Sequence, residues 1–408
     1  MYDKASLVQI PSGYKGGSPN GTLYSVLPAN GDGDFDHTRA TSSTRVNKDG
    51  LIESVASGVP RLDYPLLDGV VQSCPHLLLE PSRTNALPYS EDFSQWSPTT
   101  GITVTGSQFN ELTGNSDAYK IETNGSTGFL QISETVSATS GNNTYSVFAK
   151  KGTNNKASLR GLSGVDFRVV FDLDTGTIDS ELNTVSSKIE DYGNGWYRLS
   201  VVFSGANTTF YIYPNTLGTA DAGDIYVYGA QLEVGTYETS YIPTSGSTVT
   251  RNADVCENAG NADLFNDNEG VLFAEFSMLN DSDTSNRYIS LSDGSPDNSI
   301  MFQITSGGDL NLFNNGTSSE NRIDTYSADL TQSVKVAVQY GQSTGDYKVY
   351  VNGVSQSLNS GFVSETISGL DRLSIDYPIF DFKFNGKIKQ LMVFNEALTD
   401  AELIELTS

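Results

Sequence analysis

The chain has 408 residues, more than one ordinary hydrophobic core holds, which predicts two or three domains. Its 49 acidic and 24 basic residues give a net charge of −25, and so acidic a surface repels phosphate backbones, which argues against nucleic-acid partners. No window of about 18 apolar residues occurs, so we expect no membrane insertion. Cys74 and Cys256 are too few for a disulfide framework; two reduced thiols are expected, with one disulfide between them as the alternative.

Residues 1 to about 90 are rich in proline and glycine and show little sustained alternation. Stretches such as PSGYKGGSPNGTLYS and LPANGDGDFDHT predict loops with short extended pieces. Such a segment does not bury a core alone, so we expect an arm that packs on the next domain, on sister subunits or on a larger assembly. Within it, Asn30, Asp32, Asp34 and Asp36 resemble half of a calcium loop, but the distal glutamate is missing and a turn is the preferred interpretation.

Residues from about 91 to 250 carry repeated strand signals separated by turns. In NTYSVFAKKG, the residues Tyr145, Val147 and Ala149 alternate onto one face, and FRVVFDLDTGTIDS alternates in the same way before a turn. GWYRLSVVFSG, TTFYIYPN and GDIYVYGAQLE give three further strands. Strands at intervals of about ten residues predict an antiparallel sandwich of jelly-roll type.

Residues from about 251 to 408 predict another all-β block, with the strands VLFAEFSML, RYISLSDG, SIMFQITSG, LNLFNNG, VKVAVQYG, YKVYVNGV and KIKQLMVFN. Asn352–Gly353 suits a two-residue hairpin turn because both positions tolerate positive φ. Thr399 and Glu402 form a capping box for a short terminal helix. VKVAVQYGQSTGDYKVYVNGV and FNGKIKQLMVFNEALTDAELIEL resemble the laminin-G or concanavalin-like lectin sandwich.

The predicted fold is therefore all-β: a loop-rich N-terminal arm (1–90) followed by two antiparallel β-sandwich domains (91–250 and 251–408). A polar interval near residues 249–258 separates the two runs of strands. We expect that interval to divide two independently folding domains.

Ordered motifs over a little more than the first half of the chain resemble bacteriophage virion structural proteins. They are GDFDHTRATSSTRVNKDGLIE (33–53), HLLLEPSRTNALPYSEDFSQW (76–96) and GAQLEVGTYETSYIPTSGSTVTRNAD (229–254). The resemblance implies a carbohydrate-binding-module-like sandwich at 91–250 and a place in capsid decoration, tail, fibre or baseplate. It also implies other virion proteins as partners, a homotrimer, and adhesion to host-surface or mucus glycans. Synthesis in the host cytoplasm follows, since MYDKASLVQIPSGY lacks a basic stretch followed by an apolar one.

The sequence shows no constellation for catalysis, so we expect no enzyme. His37 and His76 fit neither HExxH nor zinc-ligand spacing, and no GxSxG, P-loop or dinucleotide fingerprint follows a strand. Asp172 and Asp174 have the spacing of a glycosidase pair, but a solvated strand end before a turn is the preferred interpretation. The alternatives are a phage depolymerase or lyase with carbohydrate-binding modules, and a bacterial surface adhesin, which the missing signal peptide disfavours.

Carbohydrate binding relies on aromatic faces that stack on a pyranose, with amides and carboxylates bonding its hydroxyls. Trp196, Tyr197, Tyr211 and Tyr213 are the candidates in the middle segment, although alternation must send half of such residues to the core, Trp196 foremost. No cofactor is predicted. A structural calcium ion is the open alternative, with three acidic residues of a loop in the last segment as candidate ligands: Asp281, Asp283 and Asp293.

Overall fold

The structure is a computed structural model that describes residues 1–11, 22–280, 286–314, 326, 329–358, 362, 366–378 and 382–408. Across these residues the chain is all-β, with antiparallel sheets and a single short α-helix, which confirms the predicted fold class. No helix in the described ranges is both long and apolar enough to cross a membrane. Cys74 is exposed and Cys256 is buried, and both are free thiols, as predicted.

Short strands, together with a 3₁₀ turn at Tyr2–Lys4, occupy the first segment. The strands are β1 (Leu7–Gln9), β2 (Thr22–Leu23), β3 (Phe35–Thr38), β4 (Ser43–Val46), β5 (Ile52–Val55), β6 (Leu62–Asp63), β7 (Leu66–Leu67), β8 (Val70–Val71), β9 (His76–Leu79) and β10 (Arg83–Asn85).

Longer strands form the middle segment after a 3₁₀ turn at Phe93–Gln95. They are β11 (Ser97–Pro98), β12 (Ile102–Asn110), β13 (Asn115–Asn124), β14 (Ile132–Thr135), β15 (Asn142–Lys151), β16 (Lys156–Leu162), β17 (Phe167–Asp172), β18 (Thr177–Leu182), β19 (Ser186–Asp191), β20 (Trp196–Ser204), β21 (Thr209–Tyr213) and β22 (Ala222–Val234).

The last segment contains a 3₁₀ turn at Thr344–Asp346, the helix α1 (Asp400–Thr407) and a third set of strands. These strands are β23 (Val249–Arg251), β24 (Val255–Glu257), β25 (Glu269–Met278), β26 (Arg287–Ser292), β27 (Ser299–Ile304), β28 (Leu310–Asn314), β29 (Val334–Gly341), β30 (Lys348–Val351), β31 (Val354–Gln356), β32 (Arg372–Ser374) and β33 (Gly386–Phe394).

The middle sandwich consists of two six-stranded sheets. We call the sheet with strand order β11-β14-β21-β16-β17-β18 the front sheet, and the sheet with order β12-β13-β22-β15-β20-β19 the back sheet. As the alternation predicted, Tyr145, Val147 and Ala149 point from β15 into the core between them, where residues of β17 meet them. Burial of this many apolar side chains is the main favourable term in the stability of the sandwich.

The last segment forms a second sandwich. Its larger sheet has the order β31-β30-β29-β25-β33-β9-β6, with β1 also paired to β33, and its smaller sheet has the order β28-β27-β26-β32. Asn352 and Gly353 take φ of 48° and 77° in the β30–β31 turn, as the hairpin prediction requires. Helix α1 begins at the predicted Thr399–Glu402 capping box, and Leu403 and Leu406 pack on the outer face of the larger sheet.

Strands of the first segment complete this second sandwich, a pairing that the sequence did not predict. Leu7 lies opposite Val393 in the register of β1 and β33, and Leu79 lies opposite Gly386 where β9 pairs with β33. Five apolar side chains of the first segment belong to the core of the second sandwich: Leu7, Leu23, Phe35, Leu77 and Leu79. The predicted arm therefore packs mainly into the last segment of the chain, because its strands occupy the open edge of β33.

A buried ionic network joins the segments; we call it the junction network. Asp254 pairs with Arg39 at 2.8 Å and with Arg61, and Glu80 pairs with Arg61 at 2.5 Å and with Arg251 at 2.8 Å. All five side chains are 2% exposed or less. Burial alone would raise the pKa of Glu80, but Arg251 and Arg61 outweigh it and lower that pKa to about 2.

Candidate functional site

The outer face of the front sheet carries a continuous row of side chains across five strands. The register places Ser133 opposite Tyr211, Tyr211 opposite Arg160, Arg160 opposite Arg168, and Arg168 opposite Leu182. Residues that lie opposite one another share a face, and the next residue of each strand faces the core. We call this set the tyrosine–arginine row.

Two arginines of the row are fixed by one carboxylate. Asp166 accepts hydrogen bonds from Nε of Arg160 at 2.8 Å and from Nη2 of Arg168 at 2.5 Å. Hydrogen bonds from Arg168 and Arg160 hold the pKa of Asp166 well below its ordinary value, so the cluster is fully charged near neutral pH. Asp166 is about one-third exposed, so the cluster is open to solvent on the sheet surface.

Aromatic rings stand beside these arginines. The ring centroids of Tyr211 and Tyr213 are 6.3 Å apart, and the guanidinium of Arg160 lies 5.6 Å from the ring centroid of Phe129. Phe129 is 52% exposed and Tyr211 is half-buried, whereas Tyr213 is fully buried and its hydroxyl accepts a hydrogen bond from Arg160 at 3.5 Å. Tyr213 therefore supports the face, while Tyr211 and Phe129 are available to a ligand.

This arrangement has the chemistry of a shallow site for a sugar. Aromatic faces stack on apolar C–H surfaces, guanidinium N–H groups donate to hydroxyl oxygens, and carboxylates accept from hydroxyls. Because Asp166 holds both arginines in place, little side-chain freedom remains to be lost when a ligand binds. The row also lies on rigid strands rather than on loops, which favours precise recognition.

The structure separates the four predicted aromatic residues. Tyr211 and Tyr213 lie together on the front sheet, whereas Trp196 and Tyr197 belong to β20 of the back sheet. Trp196 is 0% exposed on the outer face of the back sheet, where Ile52 of the first segment packs against its cluster and Glu111 accepts from its Nε1 at 2.8 Å. Tyr197 points to the other face and packs at the edge of the sandwich core. Trp196 is therefore buried, as expected, but it packs against the first segment and not in the core between the two sheets.

Sequence reasoning missed Arg160, Arg168, Asp166 and Phe129. A signal for the arginines was present: Arg160 and Arg168 lie symmetrically about the turn between β16 and β17, so an antiparallel hairpin must place them side by side. Phe129 lies in a loop, and no periodicity of the sequence could assign it to the row.

The predicted acidic candidates have local roles where they are described. Asp281 and Asp283 lie outside the described residues, and Asp293 accepts hydrogen bonds from the backbone N–H of Ser295 and from Asn298, each at 2.8 Å. Within the described ranges no group of three or more His, Cys, Asp or Glu side chains suits a metal ion. A calcium site stays a prediction.

The glycosidase-like pair has the geometry of a turn. Asp172 accepts from the backbone N–H groups of Asp174 and Thr175 and pairs with Lys156 at 2.5 Å. These bonds commit Asp172 to a strand end before a turn, as preferred from the sequence, but its side chain is buried at 8% exposure and not solvated.

The last segment of the chain matches the model of a known protein family. Residues 258–404 match the family model of the concanavalin A-like lectin/glucanases superfamily. The resemblance of this segment to a laminin-G or concanavalin-like domain is therefore confirmed. The match covers about a third of the chain and leaves the first 257 residues unassigned. The comparison with curated proteins returned no match.

Solved structures similar to part of the chain include CBM40 of the Ruminococcus gnavus IT-sialidase bound to alpha2,3 sialyllactose. Its sequence identity is 19% and its TM-score 0.28, over 37% of this chain and 94% of that chain. The NanB sialidase of Streptococcus pneumoniae has 16% identity and a TM-score of 0.27, over 36% of this chain and 25% of that chain. The heptameric SAP-like pentraxin of Limulus polyphemus has 19% identity and a TM-score of 0.28, with coverage of 34% and 70%. Similarities this low carry no argument about ligands.

Proposed function

We propose that this chain is a structural protein of a bacteriophage virion whose lectin-like domains adhere to host-surface or mucus glycans. It serves in capsid decoration or as a tail or fibre component, contacts other virion proteins and assembles as a homotrimer. It resides in the virion after synthesis in the host cytoplasm, and it acts without catalysis.

The observation that carries glycan adhesion is the tyrosine–arginine row. It combines a half-buried tyrosine, an exposed phenylalanine and an arginine–aspartate cluster on an open face of the front sheet. The lectin family match of residues 258–404 supports a chain built from lectin-like sandwiches. The virion location is supported by the ordered motifs at 33–53, 76–96 and 229–254.

Binding of the full chain to immobilised host-surface and mucus glycans tests adhesion at the row. Tyr211→Ala and Arg160→Gln should each weaken binding about tenfold, because they remove a stacking face and a charged donor. Phe109→Ala is the matched control, since Phe109 is 61% exposed but belongs to β12 of the back sheet. Failure of the wild type to bind any of these glycans, or equal losses in all three variants, would contradict adhesion at the row.

A second measurement addresses assembly and location. Each shallow site binds weakly, so particles carrying many copies should bind the same glycans far more tightly than the isolated protein. Immunogold labelling of intact particles should place the chain on the head or tail, and light scattering should give the mass of a trimer. Absence of label from particles contradicts the virion role whatever the glycan result.

The absence of catalysis is tested with capsule or exopolysaccharide as substrate. Incubation with the purified chain should leave the polysaccharide length unchanged in size-exclusion chromatography. Steady depolymerisation would favour a depolymerase or lyase instead.

A further inference from the structure

A cavity of about 850 Å³ lies where the three segments of the chain meet; we call it the junction cavity. Its floor is the outer face of the back sheet along β19 and β20. The walls include residues 44–46, 63, 65, 66, 78 and 80 of the first segment, 236–241 of the middle segment, and 277–279, 331, 332 and 387 of the last segment. Its volume lies within the range of cavities that bind small molecules. The cavity is separate from the tyrosine–arginine row, which lies on the front sheet.

Most charged groups of the cavity wall have partners within the protein. Lys188 pairs with Glu190 at 3.1 Å and with Glu238 at 3.3 Å, so these two carboxylates share one lysine, which offsets one of their two charges. Arg45 of the wall pairs with Glu53 at 2.7 Å. Asp63 of the wall pairs with a histidine at 3.0 Å, and Glu80 belongs to the junction network.

Two cations of the wall lack such a partner. Arg198 comes from β20 and Lys387 from β33, and neither has an ion pair within 4.0 Å in the described part of the chain. Tyr192 and the carboxylates of Glu238, Glu233 and Glu190 act on Arg198 only from beyond that distance, as Asp63 acts on Lys387. These more distant groups outweigh the effect of burial and raise the pKa of Arg198, but none of them contacts its guanidinium, so a ligand carboxylate that reached Arg198 would make a charge-assisted contact that no carboxylate of the described chain makes.

Contacts within the protein hold the side chain of Arg198 in place. It is 5% exposed, and its guanidinium lies 5.2 Å from the ring centroid of Phe148. Its Nη2 donates to the hydroxyl of Ser146 at 3.3 Å, while its buried Nε has no hydrogen-bond partner. Contact with the ring restrains the guanidinium, and donors of its fork remain unused.

We propose that the junction cavity binds a sugar acid, a polyhydroxylated small molecule whose carboxylate pairs with Arg198. A planar carboxylate matches the fork of a guanidinium, and Lys387 adds a second positive charge to the same cavity. The remaining wall suits the hydroxyls of such a molecule, because it includes the hydroxyl of Ser200 and the ring of Tyr192. This site is independent of glycan adhesion by the row.

Isothermal titration of the full chain with D-glucuronate, D-glucose and inorganic phosphate tests the proposal. Glucuronate should bind, and glucose should bind at least about tenfold more weakly, since it lacks the carboxylate. Phosphate should not displace glucuronate at equal concentration. No glucuronate binding, equal binding of glucose, or equal competition by phosphate would each overturn the proposal.

Variants locate the site. Arg198→Gln should abolish glucuronate binding, Arg198→Lys should weaken it about tenfold because the fork is lost, and Lys387→Gln should weaken it severalfold. Arg372→Gln is the matched control: Arg372 pairs with Asp371 outside both sites, so this variant should bind glucuronate as the wild type does. Near-UV circular dichroism checks folding. If the Arg198 variants do not fold, the glucuronate affinity of Lys387→Gln tests the proposal instead, because Lys387 is only half-buried. An affinity equal to that of the wild type would overturn the proposal.

Discussion

The middle and last sandwiches differ in where their strands come from. The middle sandwich builds both sheets from residues between 97 and 234, whereas the larger sheet of the last sandwich includes β1, β6 and β9 from the first 80 residues. Both regions show the same run of strand signals in the sequence. A contiguous run of strands therefore does not define a folding unit; the strands that complete the sheet edges do.

The first way to test this difference is to separate the regions. A fragment of residues 83–251 should fold with a sharp thermal transition, because it keeps both sheets and the β10–β23 pair. A fragment of residues 258–408 loses five buried apolar side chains of the first segment. At about 2 kcal/mol for each side chain, the fragment loses roughly 10 kcal/mol of stabilising burial, which equals the stability of a whole domain. This fragment should therefore show no sharp thermal transition.

Near-UV circular dichroism during heating measures both transitions. The expectation from the sequence alone, that residues near 249–258 divide two independent domains, predicts a sharp transition for 258–408 as well. A melting temperature of that fragment close to the full chain's would show that the first segment is dispensable.

A second test addresses the junction network. Asp254→Asn leaves Arg39 without a contacting charge and Arg61 with Glu80 alone, in a site where Asp254 and both arginines are 0% exposed, so it should cost about 3–5 kcal/mol of unfolding free energy. Asp49→Asn is the matched control: its pair with Lys48 is exposed and screened by solvent, so its loss should have little effect on unfolding. Urea denaturation measures both. Equal effects would mean that the network contributes little to joining the segments.

The sequence predicted many strands of the two sandwiches, among them β15, β17 and β20–β22 of the middle one and β25–β30 and β33 of the last, but not this network. The reason is physical. Alternation reports which face of a strand is apolar, whereas a buried ion pair is set by tertiary packing alone. Arg39 and Asp254 are 215 positions apart, and in a loop-rich segment an arginine is expected at the surface. The same limit applies to the candidate site: Tyr211 was found by alternation, but its neighbour Phe129 comes from a loop.

The network also predicts how the two regions respond to acid. The pKa of Glu80 in the folded chain is about 2, below the value of about 4.3 for an unfolded glutamate. The contribution of ionised Glu80 to the free energy of unfolding is therefore fully present above its pKa in the unfolded chain. It is lost as the pH falls through its pKa in the folded chain. The pKa of Asp254 is lowered in the same direction, since Arg61 prevails over the opposing effect of burial.

Lowering the pH from 5 towards 2 should thus destabilise the full chain by about 3 kcal/mol through Glu80 alone. The 83–251 fragment lacks both Glu80 and Asp254, so its stability should depend less on pH over this range. Melting temperatures of both proteins across the range measure the difference. Parallel acid profiles would contradict the role given to the network.

The smallest expected effect is that of Tyr211→Ala, and it is measured by comparing the two outer faces of the middle sandwich. Trp196 on the back sheet is covered by the first segment and bonded to Glu111, so Trp196→Ala should cost about 3–5 kcal/mol. Tyr211 on the front sheet is half-buried on an open face, so Tyr211→Ala should cost less than about 1 kcal/mol. Urea denaturation of both variants makes the comparison. If Tyr211→Ala were as costly as Trp196→Ala, the row would be part of the structural core, and loss of glycan binding in that variant would no longer indicate a direct contact.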